Sequence, residues 1–228
     1  MLNTAVLDPL SPENPRNHLY DEAIAISQGG KFDNLNKRMR FYQLSQLVLK
    51  AIERNPALDL VECGCWYGHS TAMISKIMRN AGCTGKLFVF DSFEGLSPFT
   101  ADDISEFWTT EGERETIREH FVSSFQHVES VLAPFGTTEL RKGWIPEVFA
   151  TFLPRQLSFV SIDVDLYEPT RDSIKFLYPQ LRAGGIMYFD DYGYRDFPGA
   201  KKAVDEFLSS QTPGFFFESS VGSAFLIK

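Results

Sequence analysis

The 228-residue sequence lacks several features that mark specialised classes of protein. No apolar run approaches the roughly 18 residues that a membrane-spanning helix needs, and the N-terminus has neither a basic start nor a hydrophobic signal core. There are only three cysteines, and the CxC pair Cys63 and Cys65 has no second pair to complete a zinc site. The net charge of -8 argues against a nucleic-acid or anionic-membrane partner. These absences favour a cytoplasmic protein that acts on small molecules.

What is present is the pattern of one ordinary globular domain, with 43% hydrophobic and 23% charged residues. Residues 1–35 are rich in Pro, Asn and Gly, so we expect an N-terminal arm or lid there, followed by a single domain over 36–228. Apolar periodicity and turn signals then predict alternating helices and strands. The predicted helices are 36–54, 70–80, 113–133, 145–152, 168–181 and 198–209, and the predicted strands are 58–62, 86–90, 138–141, 157–162, 185–189, 215–219 and 224–228.

This order predicts an α/β fold, a doubly wound and mostly parallel seven-stranded sheet that closes with an antiparallel C-terminal hairpin. The four residues between the last two strands permit only a hairpin. Parallel dinucleotide-binding sheets usually lack such a hairpin. It therefore favours the Rossmann-like class I variant found in S-adenosylmethionine-dependent methyltransferases, with N-terminal and internal helical lid segments.

The sharpest functional signal is a pair of acidic clusters at the ends of two buried strands. Strand 157–162 leads into Asp163 and Asp165, and strand 185–189 leads into Asp190 and Asp191. The carboxyl ends of parallel strands meet at the ligand-binding edge of an open α/β sheet. Carboxylates gathered there repel one another unless protons or a cation neutralise them, and oxygen ligands suit Mg²⁺, Ca²⁺ or Mn²⁺.

A glycine-containing loop at the first strand–helix junction predicts a second binding element. Gly64 and Gly68 allow a sharp turn and a close approach of ligand to backbone, but the loop is not a GxGxxG motif. Asp91, at the end of the second strand, can accept hydrogen bonds from ribose hydroxyls. Glu62 adds negative charge where a pyrophosphate would need amides or positive charge. We therefore expect a nucleoside cofactor with cationic groups, and S-adenosylmethionine meets this condition.

The motifs at 62–68, 91–96, 161–170 and 184–192 together resemble the macrocin O-methyltransferase family, over about residues 35–210. This resemblance implies a metal-dependent sugar O-methyltransferase with Mg²⁺ bound by Asp163, Asp190 and Asp191, and with Asp165 as general base. A more distant similarity to catechol O-methyltransferase gives the same metal residues. The lysine base of that enzyme falls at Leu166 here, so a lysine mechanism does not carry over.

The predicted site residues follow from these arguments. Asp165, Asp163 and His69 are the candidate catalytic residues, His69 being a second candidate base. The predicted cofactor-binding residues are Glu62, Gly64, Tyr67, Gly68, Ser70, Asp91, Ser92, Gly143, Trp144 and Asp163. Trp144 could stack on adenine.

Several alternatives stay open in the sequence. Asp165 could be a helix N-cap residue, and the aromatic residues Phe99, Phe107, Trp108 and Phe121 could line an acceptor pocket or form a cap over the sheet. The motif Asp163-Val164-Asp165 is also the DxD that metal-dependent glycosyltransferases use. A non-enzymatic nucleoside- or metal-binding domain is a third alternative. The resemblance implies that the acceptor is a glycoside, and the sequence does not specify it further. The oligomeric state is also left open, a homodimer being one alternative.

Overall fold

Seven strands form one mixed sheet. The computed structural model describes residues 14–228, and for residues 15–17 it describes the backbone only. The strand order is β3-β2-β1-β4-β5-β7-β6. The first five are parallel, whereas β7 runs antiparallel to β5 and β6 runs antiparallel to β7. This confirms the predicted fold class. The strands are β1 Asp59–Cys63, β2 Leu87–Asp91, β3 Thr138–Lys142, β4 Leu157–Ile162, β5 Leu181–Phe189, β6 Phe215–Glu218 and β7 Ala224–Ile227.

Helices cover both faces of the sheet, so the central strands are buried on both sides. Successive strand residues point to opposite faces of the sheet. Leu60 and its neighbour Val61, for example, belong to different core clusters, one on each face. Helices α1, α2, α3 and α5 pack on the first face, and α6 and α7 pack on the second. The helices are α1 Pro15–Ile26, α2 Leu35–Arg54, α3 His69–Asn80, α4 Glu111–His120, α5 Phe125–Leu132, α6 Tyr167–Leu177 and α7 Pro198–Ser210. None of these helices is long and apolar enough to cross a bilayer.

The part of the predicted N-terminal arm that the structure describes contains a core helix. Tyr20 and Ala23 of α1 are only 3% and 2% exposed and belong to the first-face core. The Tyr20 hydroxyl donates to Asp33 at 2.8 Å, and Arg38 also pairs with Asp33, which joins α1 to the start of α2. The expectation of an arm with no core contribution was therefore wrong for this helix, because Leu19 and Ile24 also pack against that core. The remainder of the arm, residues 1–13, lies outside the described residues.

The long helix predicted for 113–133 is two helices. Phe121 ends α4, and the hydroxyl of Ser124 accepts a hydrogen bond from the His127 amide and so caps α5. Between them, Val122 forms an isolated bridge with Glu94, which draws this segment towards the sheet edge. Periodicity alone concealed the break, since both helices are amphipathic.

Two further boundaries differ from the sequence prediction. The helix predicted for 145–152 is a short 3-10 helix, Glu147–Thr151. The helix predicted for 168–181 ends at Leu177, and a 3-10 turn precedes β5, which starts at Leu181.

Candidate active site

A cavity of about 500 Å³ opens at the carboxyl edge of the parallel strands. Loops that follow β1, β2, β3, β4 and β5 all contribute to its wall, as expected for a ligand site in an open α/β sheet. The predicted residues that line it are Gly64, His69, Ser70, Asp91, Ser92, Gly143, Trp144, Asp163, Asp165, Asp190 and Asp191. Glu62, Tyr67 and Gly68 are predicted residues that do not line it. The structure thus brings most of the candidate site together in one place.

The loop after β1 is folded closely against the loop after β4. Gly64 has a φ of +84°, and a Cβ built there would lie 1.7 Å from the carbonyl oxygen of Asp163. Only glycine fits this position, because both its backbone conformation and the close approach exclude a side chain. Trp66, two residues later, is a non-glycine residue with a φ of +48°.

Asp91 supports this loop as well as lining the cavity. One carboxylate oxygen accepts from the amides of Cys65 and Trp66 at 2.7 and 3.0 Å, and the other accepts from the Phe93 amide at 2.7 Å. A carboxylate has about four lone-pair positions, so roughly one remains for a ligand hydroxyl. Asp91 therefore has a structural task that the sequence did not indicate, beside the predicted one.

Glu62 lies beneath the loop rather than in the cavity. It is fully buried, and one of its carboxylate oxygens accepts from the Thr71 hydroxyl at 2.5 Å. The other oxygen has no hydrogen-bond partner among the described residues. Burial raises the pKa of Glu62 to about 8, with the charges of Asp163 and Asp91 acting in the same direction. Its carboxyl group is therefore mostly neutral at pH 7.

Three of the acidic side chains converge at the cavity floor. One carboxylate oxygen from each of Asp163, Asp165 and Asp191 lies within 4.8 Å of the others. The Asp165 amide donates to Asp191 at 3.0 Å, and Asp165 itself has a φ of +61°. Burial raises the pKa of Asp165 and that of Asp191 well above the usual range, and the neighbouring carboxylates add to the effect. An all-oxygen, negatively charged set of this kind fits a hard divalent cation.

Asp190 has other partners in the structure. It forms an ion pair with Arg40 of α2 and accepts from the Tyr188 hydroxyl at 2.9 Å. The predicted metal set of Asp163, Asp190 and Asp191 thus differs in one member from the set that converges, in which Asp165 takes the place of Asp190.

His69 contacts a lysine that the sequence did not single out. The Lys37 Nζ lies 2.6 Å from the His69 Nδ1, and both side chains are buried. Burial, together with the charges of Lys37 and His127, lowers the pKa of His69 to about 3. An imidazole this weakly basic is a poor acceptor for a hydroxyl proton, which weighs against His69 as the base.

One part of the cavity wall is aromatic and apolar. Trp108, Phe121 and Phe197 line it, and Phe121 lies 5.5 Å from Trp66 between ring centroids. Of the predicted acceptor-pocket residues, Phe99 packs behind this cluster and Phe107 is 42% exposed, and neither lines the cavity. Trp108 and Phe121 thus form part of the cavity wall, and Phe99 packs behind them.

The sequence missed the basic residues of the site. Lys37 and Arg40 of α2 line the cavity, as does His120 at the end of α4. The one available signal was their position on α2, since residues 37 and 40 lie one turn apart and share a helix face.

Comparison with known proteins agrees with this geometry. A family model described as Macrocin-O-methyltransferase (TylF) matches residues 34–212. A relative from Streptomyces olivaceus, 8-demethyl-8-(2,3-dimethoxy-alpha-L-rhamnosyl)-tetracenomycin-C 4'-O-methyltransferase, is 29% identical over 182 residues, which is 73% of this chain and 67% of that protein. Demethyldecarbamoylnovobiocin O-methyltransferase from Streptomyces niveus is 30% identical over 178 residues, which is 74% of this chain and 64% of that protein. The chain therefore matches about two thirds of the length of these relatives.

Solved structures share the fold. The O-methyltransferase NovP superposes with a TM-score of 0.67 at 24% identity, over 82% of this chain and 78% of that chain. The O-methyltransferase from Bacillus cereus, solved in complex with SAH, has a TM-score of 0.57 at 14% identity over 96% of this chain and 93% of that chain. At these identities the likeness concerns the fold alone.

Fold and site together define a class I O-methyltransferase dependent on S-adenosylmethionine. The chain belongs to the macrocin O-methyltransferase family, whose model covers more than half of it. This confirms the family that the four sequence motifs predicted. It decides against the glycosyltransferase and the non-enzymatic alternatives.

Proposed function

We propose that this O-methyltransferase acts on a hydroxyl group of a sugar in a glycosylated small molecule, with a divalent cation such as Mg²⁺ at the carboxylate cluster. The observation that carries the proposal is the convergence of the β4 and β5 carboxylates, the glycine loop and the aromatic wall on one cavity. The Streptomyces olivaceus relative is named for an acceptor that carries a rhamnosyl group, and the Streptomyces niveus relative for a novobiocin derivative. These names support a glycoside acceptor.

The two ends of the cavity suit different ligands. The end beside Gly64, Asp91 and Trp144 is formed by the β1, β2 and β3 loops, where the nucleoside of S-adenosylmethionine would lie. When bound, this cofactor supplies an electrophilic methyl group. The aromatic end, with Trp108 and Phe121, offers flat faces on which a sugar ring or its aglycone can pack.

The acidic residues are assigned two tasks. Asp163, Asp190 and Asp191 would hold the cation, whose positive charge lowers the pKa of a nearby hydroxyl group. Asp165 lies in the same wall of the cavity and would take the proton from the acceptor hydroxyl as general base. Because a sugar hydroxyl is a weak acid, holding it in line with the methyl group is the other large contribution.

The experiment compares matched amide variants in a metal titration that does not depend on turnover. Asp190→Asn and Asp191→Asn should weaken Mn²⁺ binding, measured by electron paramagnetic resonance. Asp165→Asn should bind Mn²⁺ as the wild type does but lose single-turnover rate by about 10²–10⁴-fold, the usual share of a general base. Asparagine tolerates the left-handed conformation of Asp165, so the fold should survive the change.

The reverse result would reassign both roles. If Asp165→Asn loses the ion while Asp190→Asn keeps it, the converging set of Asp163, Asp165 and Asp191 is the ligand set. The role of Asp190 would then be its ion pair with Arg40, and a residue other than Asp165 would have to be the general base. Full turnover in excess chelator would remove the metal from the reaction altogether.

A further inference from the structure

Lys37 is a buried cation that lacks a carboxylate in direct contact, although the charges of Asp163 and Asp33 act on it from further away. It is 7% exposed, and no carboxylate of residues 14–228 forms an ion pair with it. Its ammonium group has three N–H donors, and one lies on His69. The rings of Trp66 and Phe41, 5.4 and 5.5 Å away, compensate only part of the cost of burying the charge.

Lys37 is also the cationic side chain of this cavity that has N–H donors available to a ligand. Lys37 and Arg40 are the lysine and arginine side chains in the cavity wall, and burial lowers the pKa of Lys37 to about 8. Arg40 is already paired with Asp190. An anionic group that enters the cavity therefore finds one cation whose donors are available.

The start of α3 lies directly beside this ammonium group. His69, the partner of Lys37, is the first residue of the 12-residue helix, and the N-cap residue Gly68 has no side chain to satisfy the first amides. Ser70, the second helical residue, lines the cavity. The helix N-terminus carries partial positive charge and points unsatisfied N–H groups at its ligand side. Lys37 and α3 thus act on the same part of the cavity.

We propose that Lys37 binds the α-carboxylate of S-adenosylmethionine, with the first amides of α3 as its neighbours. The inference rests on the proposed cofactor site and adds to it a residue that orients the amino-acid end. The carboxylate is the anionic group of this cofactor, whereas its ammonium and sulfonium groups are cationic. Lys37 therefore complements the carboxylate, while the aspartates of the same cavity complement the ammonium and sulfonium groups.

The test uses a ligand pair in which a methyl ester removes this charge and adds one methyl group. Binding of S-adenosylhomocysteine and of its methyl ester is measured by calorimetry with the wild type, Lys37→Met, Lys37→Arg and, as control, Lys50→Met. Lys50 lies on the same helix but is exposed and paired with Glu53. The wild type should prefer the free acid by about 10- to 100-fold, the range for a hydrogen bond to a charged group.

The variants should separate Lys37 from the helix. Lys37→Met should lose affinity for the free acid by a similar factor and bind both ligands nearly alike, while Lys37→Arg and Lys50→Met keep the preference. Circular dichroism checks the fold. If Lys37→Met does not fold, Lys37→Gln replaces it, and the ester comparison in the wild type needs no variant.

Three outcomes overturn the inference. The wild type could bind acid and ester equally, Lys37→Met could keep the full preference, or Lys37→Met could bind both ligands normally and lose only acceptor affinity or rate. The last result would show that Lys37 binds the acceptor rather than the cofactor. A wild type that binds neither ligand would refute the proposed cofactor site, and this inference with it.

Discussion

The buried Glu62 makes the stability of the ligand-free protein depend on pH. Its carboxyl group is fully buried, and one oxygen has no partner among the described residues. Burial raises the pKa of Glu62 from 4.5 to about 8. In the unfolded chain the group ionises with the ordinary pKa. Between these two values folding takes up a proton, so the free energy of unfolding falls as the pH rises.

The size of the effect follows from the shift. Each pKa unit corresponds to about 1.4 kcal/mol, so the shift of Glu62 corresponds to at most roughly 4–5 kcal/mol across this window. The contribution is complete below pH 4.5 and is lost by about pH 8. Burial also raises the pKa values of Asp165 and Asp191 in the carboxylate cluster. Their contribution to the free energy of unfolding therefore also falls as the pH rises. Only a variant comparison therefore isolates Glu62.

The variant is Glu62→Gln, which keeps the shape and the acceptor for Thr71 but has no titrating proton. Urea denaturation in chelator at pH 5, 6, 7 and 8 should give a steeper loss of stability for the wild type than for the variant. Glu53→Gln, on the exposed face of α2, should follow the wild type. Parallel curves for the wild type and Glu62→Gln would show that Glu62 is ionised in the folded protein, and the reasoning from burial would fail.

Two further predictions concern the nucleotide side of the site. Asp91→Ala should weaken S-adenosylhomocysteine binding by about 1.5–3 kcal/mol in calorimetry, and less so for an analogue without ribose hydroxyls; unchanged affinity would remove Asp91 from the site. Gly64→Ala should lower the free energy of unfolding by about 2–4 kcal/mol, because the new Cβ meets Asp163 and the φ is positive. Gly112→Ala, where a Cβ meets open space in α4, should not destabilise the protein.

The sequence predicted the sheet well because its central strands are short and buried on both faces. Strand 157–162 agrees with β4 residue for residue, and all six of its residues, including Ser158 and Ser161, are buried. The helix predicted for 113–133 failed for the opposite reason. Its two amphipathic halves are separated by the Ser124 cap and by a bridge between Val122 and Glu94, which lies far away in sequence.

The acidic half of the site was predictable, and the basic half was not. Carboxylates at strand ends are placed by the topology of the sheet, which periodicity reveals. Lys37 and Arg40 reach the site from α2, and nothing in the spacing of residues on a helix states which loops that helix will face. The partner of Asp190 could therefore be found only in the folded chain.

The charges in the cavity connect these observations. Six aspartates and two strongly basic residues, Lys37 and Arg40, line it, so the ligand-free site has an excess of negative charge. Burial raises the pKa values of Asp165 and Asp191, and the neighbouring carboxylates add to the effect. A cofactor with a sulfonium and an ammonium group and a divalent cation both reduce this negative charge, so each removes part of the attraction that the other would feel. Their electrostatic coupling should therefore be unfavourable, and a chelator should abolish turnover without weakening S-adenosylmethionine binding in calorimetry.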